Sequence, residues 1–258
     1  MFTKIIYPLV LREKISYRIQ KLYSRVNDRN ISLEFNKKIK LDLLNTDVGH
    51  RWVIFNGFYE LQLSKAIVKL GARGGIFVDV GANYGYFSCL WASKNSKNQV
   101  FAFEASPSNI EPLINNVTKN CLLNQIKIIP VALGKEAGEL SFDLNMKEKQ
   151  TGWGGFTINS NLSSVKVKVE TLDNYAPRNN ISKIDVLKID TEGADTWVLY
   201  GSQKLLQEKK IKHIFFEENI ARMELLKINR HEAQNFLEKY DYSVEKHSTT
   251  DFYAYPNI

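Results

Sequence analysis

The chain has 258 residues, 44% of them hydrophobic, with 6 prolines and 14 glycines. That suits one large α/β domain, or such a domain with a small extension, and excludes long disordered or low-complexity stretches. A net charge of +7 points to an anionic partner or to a lysine-rich solvated surface.

The start, Met1 to Leu11, is a short apolar patch followed by Arg12, Glu13 and Lys14 rather than by a small-residue cleavage site. No run reaches the roughly 18–20 apolar residues of a membrane span, so a cytoplasmic protein is expected. Residues 12–29 read as a helix, with Ile15, Ile19, Leu22, Tyr23 and Val26 on one face and Lys14, Arg18, Lys21 and Arg25 on the other. Such a basic amphipathic helix lies on an anionic membrane surface or packs on the main domain with its charges in water. Residues 31–45 read as a hairpin turning at Asn36 and Lys37. Together these make an N-terminal extension over 1–54, followed by the main domain over 55–258.

That domain starts with an amphipathic helix at 58–71. Strands and helices then alternate: strand 76–80, helix 85–94, strand 99–104, helix 107–120 with Pro107 in its first turn, and strand 126–132. An irregular β-rich stretch follows. Strand 184–190, helix 193–206, strand 211–217 and helix 230–240 come next, and strands 242–247 and 251–255 form an antiparallel hairpin at one edge. The expected fold is a mostly parallel, Rossmann-like sheet with helices on both faces. Cys89 and Cys121 fall in predicted helices, have no metal-ligand spacing, and read as reduced, buried apolar groups.

The most informative stretch is Ile76-Phe77-Val78-Asp79-Val80-Gly81-Ala82-Asn83-Tyr84-Gly85-Tyr86. An apolar strand ends in an acid and runs straight into a glycine turn, at the strand end where such sheets bind ligands. A dinucleotide loop starting at Gly81 needs glycines at 83 and 86, where the chain has Asn83 and Tyr86. The pattern points to a cofactor bearing a cation and ribose hydroxyls, and S-adenosylmethionine has both. The next strand ends at Glu104, placed either to accept two ribose hydroxyls or to cap the helix starting near Ser106. Asp190 ends a third apolar strand and faces the same crevice. Glu192 opens the following helix, where the dipole also favours an acid. Glu217 and Glu218 end the strand after that. These acids read as general-base candidates. The same carboxylates also suit a hard divalent cation, but with no histidine ligand beside them the general-base reading is preferred and no metal is expected. Trp153, set among Gly152, Gly154 and Gly155, is either an aromatic platform for a sugar ring on a mobile loop or a packed turn residue.

These residues carry a family resemblance. Phe77-Val78-Asp79-Val80-Gly81-Ala82-Asn83-Tyr84-Gly85-Tyr86-Phe87-Ser88 resembles the first motif of the FkbM-type methyltransferases, and Phe103-Glu104-Ala105 the second. Val131-Ala132-Leu133-Gly134, Glu170-Thr171-Leu172-Asp173 and Gly57-Phe58-Tyr59-Glu60 are similar to further family segments. Leu187-Lys188-Ile189-Asp190-Thr191-Glu192-Gly193-Ala194-Asp195 resembles the most recognisable one, with Asp195 where the family usually has Glu. The resemblance spans about residues 55–240. It implies a class I methyltransferase fold, S-adenosyl-L-methionine as cofactor with S-adenosyl-L-homocysteine as product, and O-methylation of a sugar or glycan acceptor. It also implies cofactor contacts from Glu60, Asp79, Gly81, Asn83, Gly85, Glu104, Ala105, Ala132 and Asp190. Carried over, Asp190 faces the methyl-transfer site; Glu192 or Glu218 reads as assisting it, and Trp153, on its platform reading, meets the acceptor. The competing functions are a nucleic-acid methyltransferase and a non-catalytic cofactor-binding partner in a glycan-assembly complex. Asp190-Thr191-Glu192-Gly193 does not resemble a base-methylating Asn-Pro-Pro-Tyr motif, so nucleic acid is not the expected acceptor.

Overall fold

The computed structural model describes residues 2–19, 30–45, 47–144, 152, 154–157 and 164–257. A 3-10 turn at Phe2–Ile5 precedes α1 (Leu9–Ile19), and β1 (Ile31–Ser32) pairs antiparallel with β2 (Lys40–Leu41). Then come α2 (Val48–Asn56), α3 (Leu61–Gly71), β3 (Ile76–Val80), α4 (Tyr86–Ala92), β4 (Gln99–Phe103), α5 (Pro107–Lys119) and β5 (Ile126–Ile129). The middle of the chain supplies β6 (Ala132–Leu133), β7 (Gly138–Asp143), β8 (Gly155–Phe156), β9 (Ser164–Glu170) and α6 (Leu172–Arg178). The remainder is β10 (Ile184–Ile189), α7 (Asp195–Tyr200), α8 (Gln203–Gln207), β11 (Ile211–Glu217), α9 (Ile220–Leu225), α10 (Glu232–Lys239), β12 (Tyr242–Lys246) and β13 (Asp251–Pro256).

Seven strands form the main sheet in the order β12-β13-β11-β10-β3-β4-β5. From β5 to β11 neighbours run parallel, and β13 runs antiparallel to both its neighbours. The C-terminal hairpin is present, but the last strand is inserted and β12 takes the edge. The chain winds outward from β3 through β4 and β5, then returns to β10 on the other side of β3. The crevice above β3 and β10 is thus the topological switch point, where open α/β sheets hold ligands. β3 and β10 are buried along nearly their whole length, which explains their continuous apolar runs. A second sheet, β6-β9-β7-β8, stands beside the crevice.

Local chemistry explains where elements part from their sequence boundaries. The strand expected over 126–132 splits because Pro130 has no N–H to donate, and the chain changes sheets there. The helix expected over 193–206 breaks into α7 and α8 at Gly201. Its backbone lies so close to Gly134 that a Cβ would sit 2.1 Å from the Gly134 carbonyl oxygen. α2 went unread, although its signals are in the chain. Asp47 caps its first turn, accepting from the His50 N–H at 3.1 Å, and left-handed Gly57 closes it. Cys89 is buried as expected; Cys121 is exposed, in a left-handed turn just past α5, so it is not a core residue.

α1 is the largest surprise. Leu9 and Ile19 pack on the core, and Lys14 and Arg18 are exposed, as the spacing suggests. Yet Arg12 and Ser16 are fully buried while Val10, Leu11 and Tyr17 face out. Arg12 takes the inward face because every arm of its guanidinium finds an acceptor there: Ile6 O at 3.0 Å, Lys4 O at 2.6 Å, Asn56 O at 2.9 Å and Glu34 Oε2 at 2.6 Å. The rest of the expected helix, including Lys21, Leu22, Tyr23, Arg25 and Val26, lies outside the described residues. No described helix is long and apolar enough to cross a membrane.

Burial pushes the Glu34 carboxyl up, but hydrogen bonds from Lys37, Tyr7 and Arg12 outweigh it and hold the group down to about 2. A carboxyl more acidic in the folded than the unfolded state adds stability above the unfolded value of about 4.5, lost as pH falls toward 2. Glu34→Gln should therefore lower unfolding stability at neutral pH by about 1–2 kcal/mol, since solvent screens the exposed Lys37 partner. Urea titrations should show that deficit shrinking steadily below about pH 4.

Candidate active site

β3 and β10 pair in parallel so that Lys188 stands beside Asp79. Lys188 is buried, and its Nζ lies 3.5 Å from Asp79 Oδ1 and 3.2 Å from Asp190 Oδ2. It also donates to the Gly81 carbonyl at 3.2 Å and sits 5.3 Å from the centroid of the Phe87 ring. Burial alone disfavours an ammonium, but Asp190, Asp79 and Glu60 outweigh it and raise its pKa. One cation thus ties the ends of both switch-point strands to the glycine turn. Asp79 accepts from the Ser88 hydroxyl at 2.6 Å and is wholly buried beneath the loop. It does not line the crevice, and its observed partners are Ser88 and Lys188.

The two glycines of the loop have different tasks. Gly81 has φ +76, and a Cβ there would lie 2.0 Å from the Asp190 carbonyl oxygen. Glycine alone lets the two loops meet. Gly85 also has positive φ, but its missing Cβ makes room for Leu113 of α5, and it is not a crevice residue. Between them Asn83, itself at φ +50, donates its backbone N–H to Glu104 Oε2 at 2.7 Å. Glu104 Oε1 accepts from the Ser106 N–H at 2.8 Å and from Asn109 Nδ2 at 3.5 Å. Glu104 therefore does cap the turn before α5, and still lines the crevice with Gly81, Asn83, Ala105 and Ala132. Counting its open mouth, the space within the crevice is about 1100 Å³. Tyr59 and Phe87 form one wall and Phe156 part of the other.

Acids crowd the opposite rim. Asp190, Glu192 and Glu217 line the crevice; Glu60 and Asp251 line a smaller recess that also reaches Lys188 and Asp190. Burial, then the charges of Asp190 and Glu217, push Glu192 up to about 8, with one oxygen accepting from Asn219 Nδ2 at 2.8 Å. Burial, Asp190 and Asp251 push Glu217 up to about 7. Asp251 is directly opposite Glu217 across the β11–β13 ladder, where like charges repel. Asp195 is turned inward, accepting from the Thr191 N–H and hydroxyl, so it secures the loop. Among the described residues no group of three or more His, Cys, Asp or Glu is placed to hold a metal ion.

Glu218 is not at the site. Its carboxylate is buried on the other side of the sheet, accepting from the His231 N–H at 2.8 Å and from Gln234 Nε2 at 3.2 Å. Successive strand residues point to opposite faces, so once Glu217 faces the crevice Glu218 cannot. Trp153 lies outside the described residues; its neighbours Gly152 and Gly154 line the crevice. Lys188 and Tyr59 also line the crevice. A lysine inside an otherwise apolar strand is the sequence signal for the first.

A sheet ordered this way, with an inserted antiparallel last strand and a glycine turn at its switch point, defines a class I methyltransferase fold. The family model of the methyltransferase FkbM domain matches residues 79–244, and the chain belongs to that family. Among curated relatives, the hexuronic acid methyltransferase AglP of Haloferax volcanii is 26% identical over 148 residues, 57% of this chain and 58% of that protein. The methyltransferase sdnD of Sordaria araneosa is 30% identical over 152 residues, 48% of this chain and 59% of that protein. The matches thus span under two thirds of either relative. The crystal structure of the methyltransferase FkbM from Methylobacillus flagellatus KT superposes with a TM-score of 0.49 at 17% identity, covering 70% of this chain and 44% of that one.

Two measurements test this electrostatic arrangement. Glu192 and Glu217 bind protons more tightly folded than unfolded, so their contribution is full below about pH 4.5 and fades as pH rises through 7 and 8. Unfolding free energy should fall across that window, and Glu192→Gln with Glu217→Gln should flatten the slope. Lys188→Met strands Asp79 as an unpaired buried charge and should lower stability by about 3–5 kcal/mol in chemical unfolding.

Proposed function

We propose that this protein moves a methyl group from S-adenosyl-L-methionine to a hydroxyl of a saccharide acceptor. The observation that carries this reading is the meeting, in one crevice, of Gly81 and Asn83, Glu104 and Asp190 from three adjacent strand ends. The residues fit that cofactor. Glu104 offers about four lone-pair sites, three of them engaged. The 3.5 Å contact from Asn109 is the one a ribose diol displaces most easily. Ala132, Leu133 and Val131 supply a small apolar surface suited to the adenine. The Tyr59 and Phe87 rings and the acidic rim suit a sulfonium cation.

When bound, the cofactor supplies an activated methyl for in-line displacement. Transfer to the acceptor oxygen would form a C–O bond as the C–S bond breaks, with Gly81, Asn83 and Glu104 holding the cofactor and its homocysteine product as the leaving group. The protein's share is mostly alignment. Lys188 holds Asp190 by one oxygen at the crevice floor, and Asp190 takes the hydroxyl proton as general base. Glu192 and Glu217, pushed up to about 8 and about 7, supply a carboxyl that shares a proton with the acceptor near neutral pH. The relative named as a hexuronic acid methyltransferase supports a saccharide acceptor.

Asp190→Asn should leave the calorimetric Kd for the cofactor within a few-fold of wild type while kcat drops by roughly 10²–10⁴. Undiminished turnover would remove Asp190 as the base. Glu104→Ala should instead weaken cofactor binding roughly 10–100-fold. Mass spectrometry of saccharides incubated with the protein and cofactor tests the acceptor class through a gain of one methyl.

A further inference from the structure

The outward face of α1 carries exposed apolar side chains among basic ones, where a solvated helix should be polar. Val10, Leu11 and Tyr17 are 44%, 45% and 51% exposed, and Ile5 and Tyr7 just ahead are 76% and 64% exposed. These are five of the eleven large hydrophobic side chains exposed among the described residues, gathered within a short stretch. Positions 10, 11, 14, 17 and 18 recur at helical spacing, so the exposed Lys14 and Arg18 share that face. Arg12 pins the opposite face to Glu34 and to three backbone carbonyls, so the helix cannot roll its apolar side inward without stripping a buried guanidinium of its acceptors. The one acid of α1, Glu13, has Lys65 as its charged neighbour.

We propose that this face is a membrane-surface site, on which α1 lies in the plane of an anionic lipid interface. Exposed apolar and tyrosine side chains set beside basic ones suit a lipid surface: the former enter the headgroup region while the latter snorkel to lipid phosphates. A protein partner would leave the two cations needing acids of its own. The lipid surface supplies negative charge and an apolar layer together. The association is peripheral. α1 packs on α2, with Tyr17 stacked on Trp52 at 5.8 Å. Asp47 and Gly49, at the start of α2, line the crevice. The element that docks on lipid is therefore braced against one that opens into the active site.

The test is co-sedimentation of the full chain with vesicles of phosphatidylcholine, with and without phosphatidylglycerol. Binding is expected to the anionic vesicles only, weakening as salt is raised. Lys14→Ser and Arg18→Ser should each weaken it roughly five-fold, and Leu11→Glu with Val10→Glu should abolish it. All four positions are exposed, so circular dichroism and the cofactor Kd should be unchanged. Failure to bind anionic vesicles overturns the proposal, as does binding indifferent to the Val10 and Leu11 changes. A wild-type dimer that those changes convert to monomer, without vesicle binding, assigns the face to a second copy instead and equally overturns it.

Discussion

One buried ammonium organises this molecule's working end. Lys188 stands at the switch point between β3 and β10 and touches Asp79, Asp190 and the Gly81 carbonyl at once. A buried ion pair brings little net stability, because desolvation offsets the attraction. What it brings is position: each partner is stranded if the others move. The glycine turn and the Asp190 loop are therefore registered against each other by charge as well as by the 2.0 Å approach that only Gly81 permits.

The same lysine sets the charge balance around it. Asp190, Glu192, Glu217, Glu60 and Asp251 gather around the crevice and its adjoining recess, and burial plus mutual repulsion raises Glu60, Glu192, Glu217 and Asp251. The site relieves the repulsion by holding protons near neutrality. A rim that is both acidic and proton-bearing suits a cationic cofactor. It comes from strand ends converging on one edge, which is a property of the topology rather than of any single motif.

Much of the site was legible locally. Gly81, Asn83, Glu104, Ala105, Ala132, Asp190 and Glu192 lie in motifs whose strand–turn–helix context was visible, and all of them line the crevice. Asp79 and Gly85 sit in the same motif yet serve underneath it, one pairing with Lys188 and the other making room for Leu113. A motif marks that a residue is constrained; it does not say whether the constraint comes from ligand or from packing. The choice between Glu217 and Glu218 turned on strand phase. One residue of register moves a carboxylate to the other face of the sheet.

The sequence by itself determined the alternation of strands and helices and the parallel sheet, because hydrophobic period and glycine placement are local signals, and its ordered motifs carried the resemblance to the family. It also announced the hairpin at the C-terminal edge. Tertiary structure alone decided that β13 would insert beside β11, that Gly201 would break a helix to approach Gly134, and that α1 would bury Arg12 and turn Val10 and Leu11 outward. Each depends on partners far along the chain, and a buried guanidinium goes where its acceptors converge. For Arg12 that was decided by Glu34 and the Asn56 carbonyl, which no helical period in residues 9–19 could reveal.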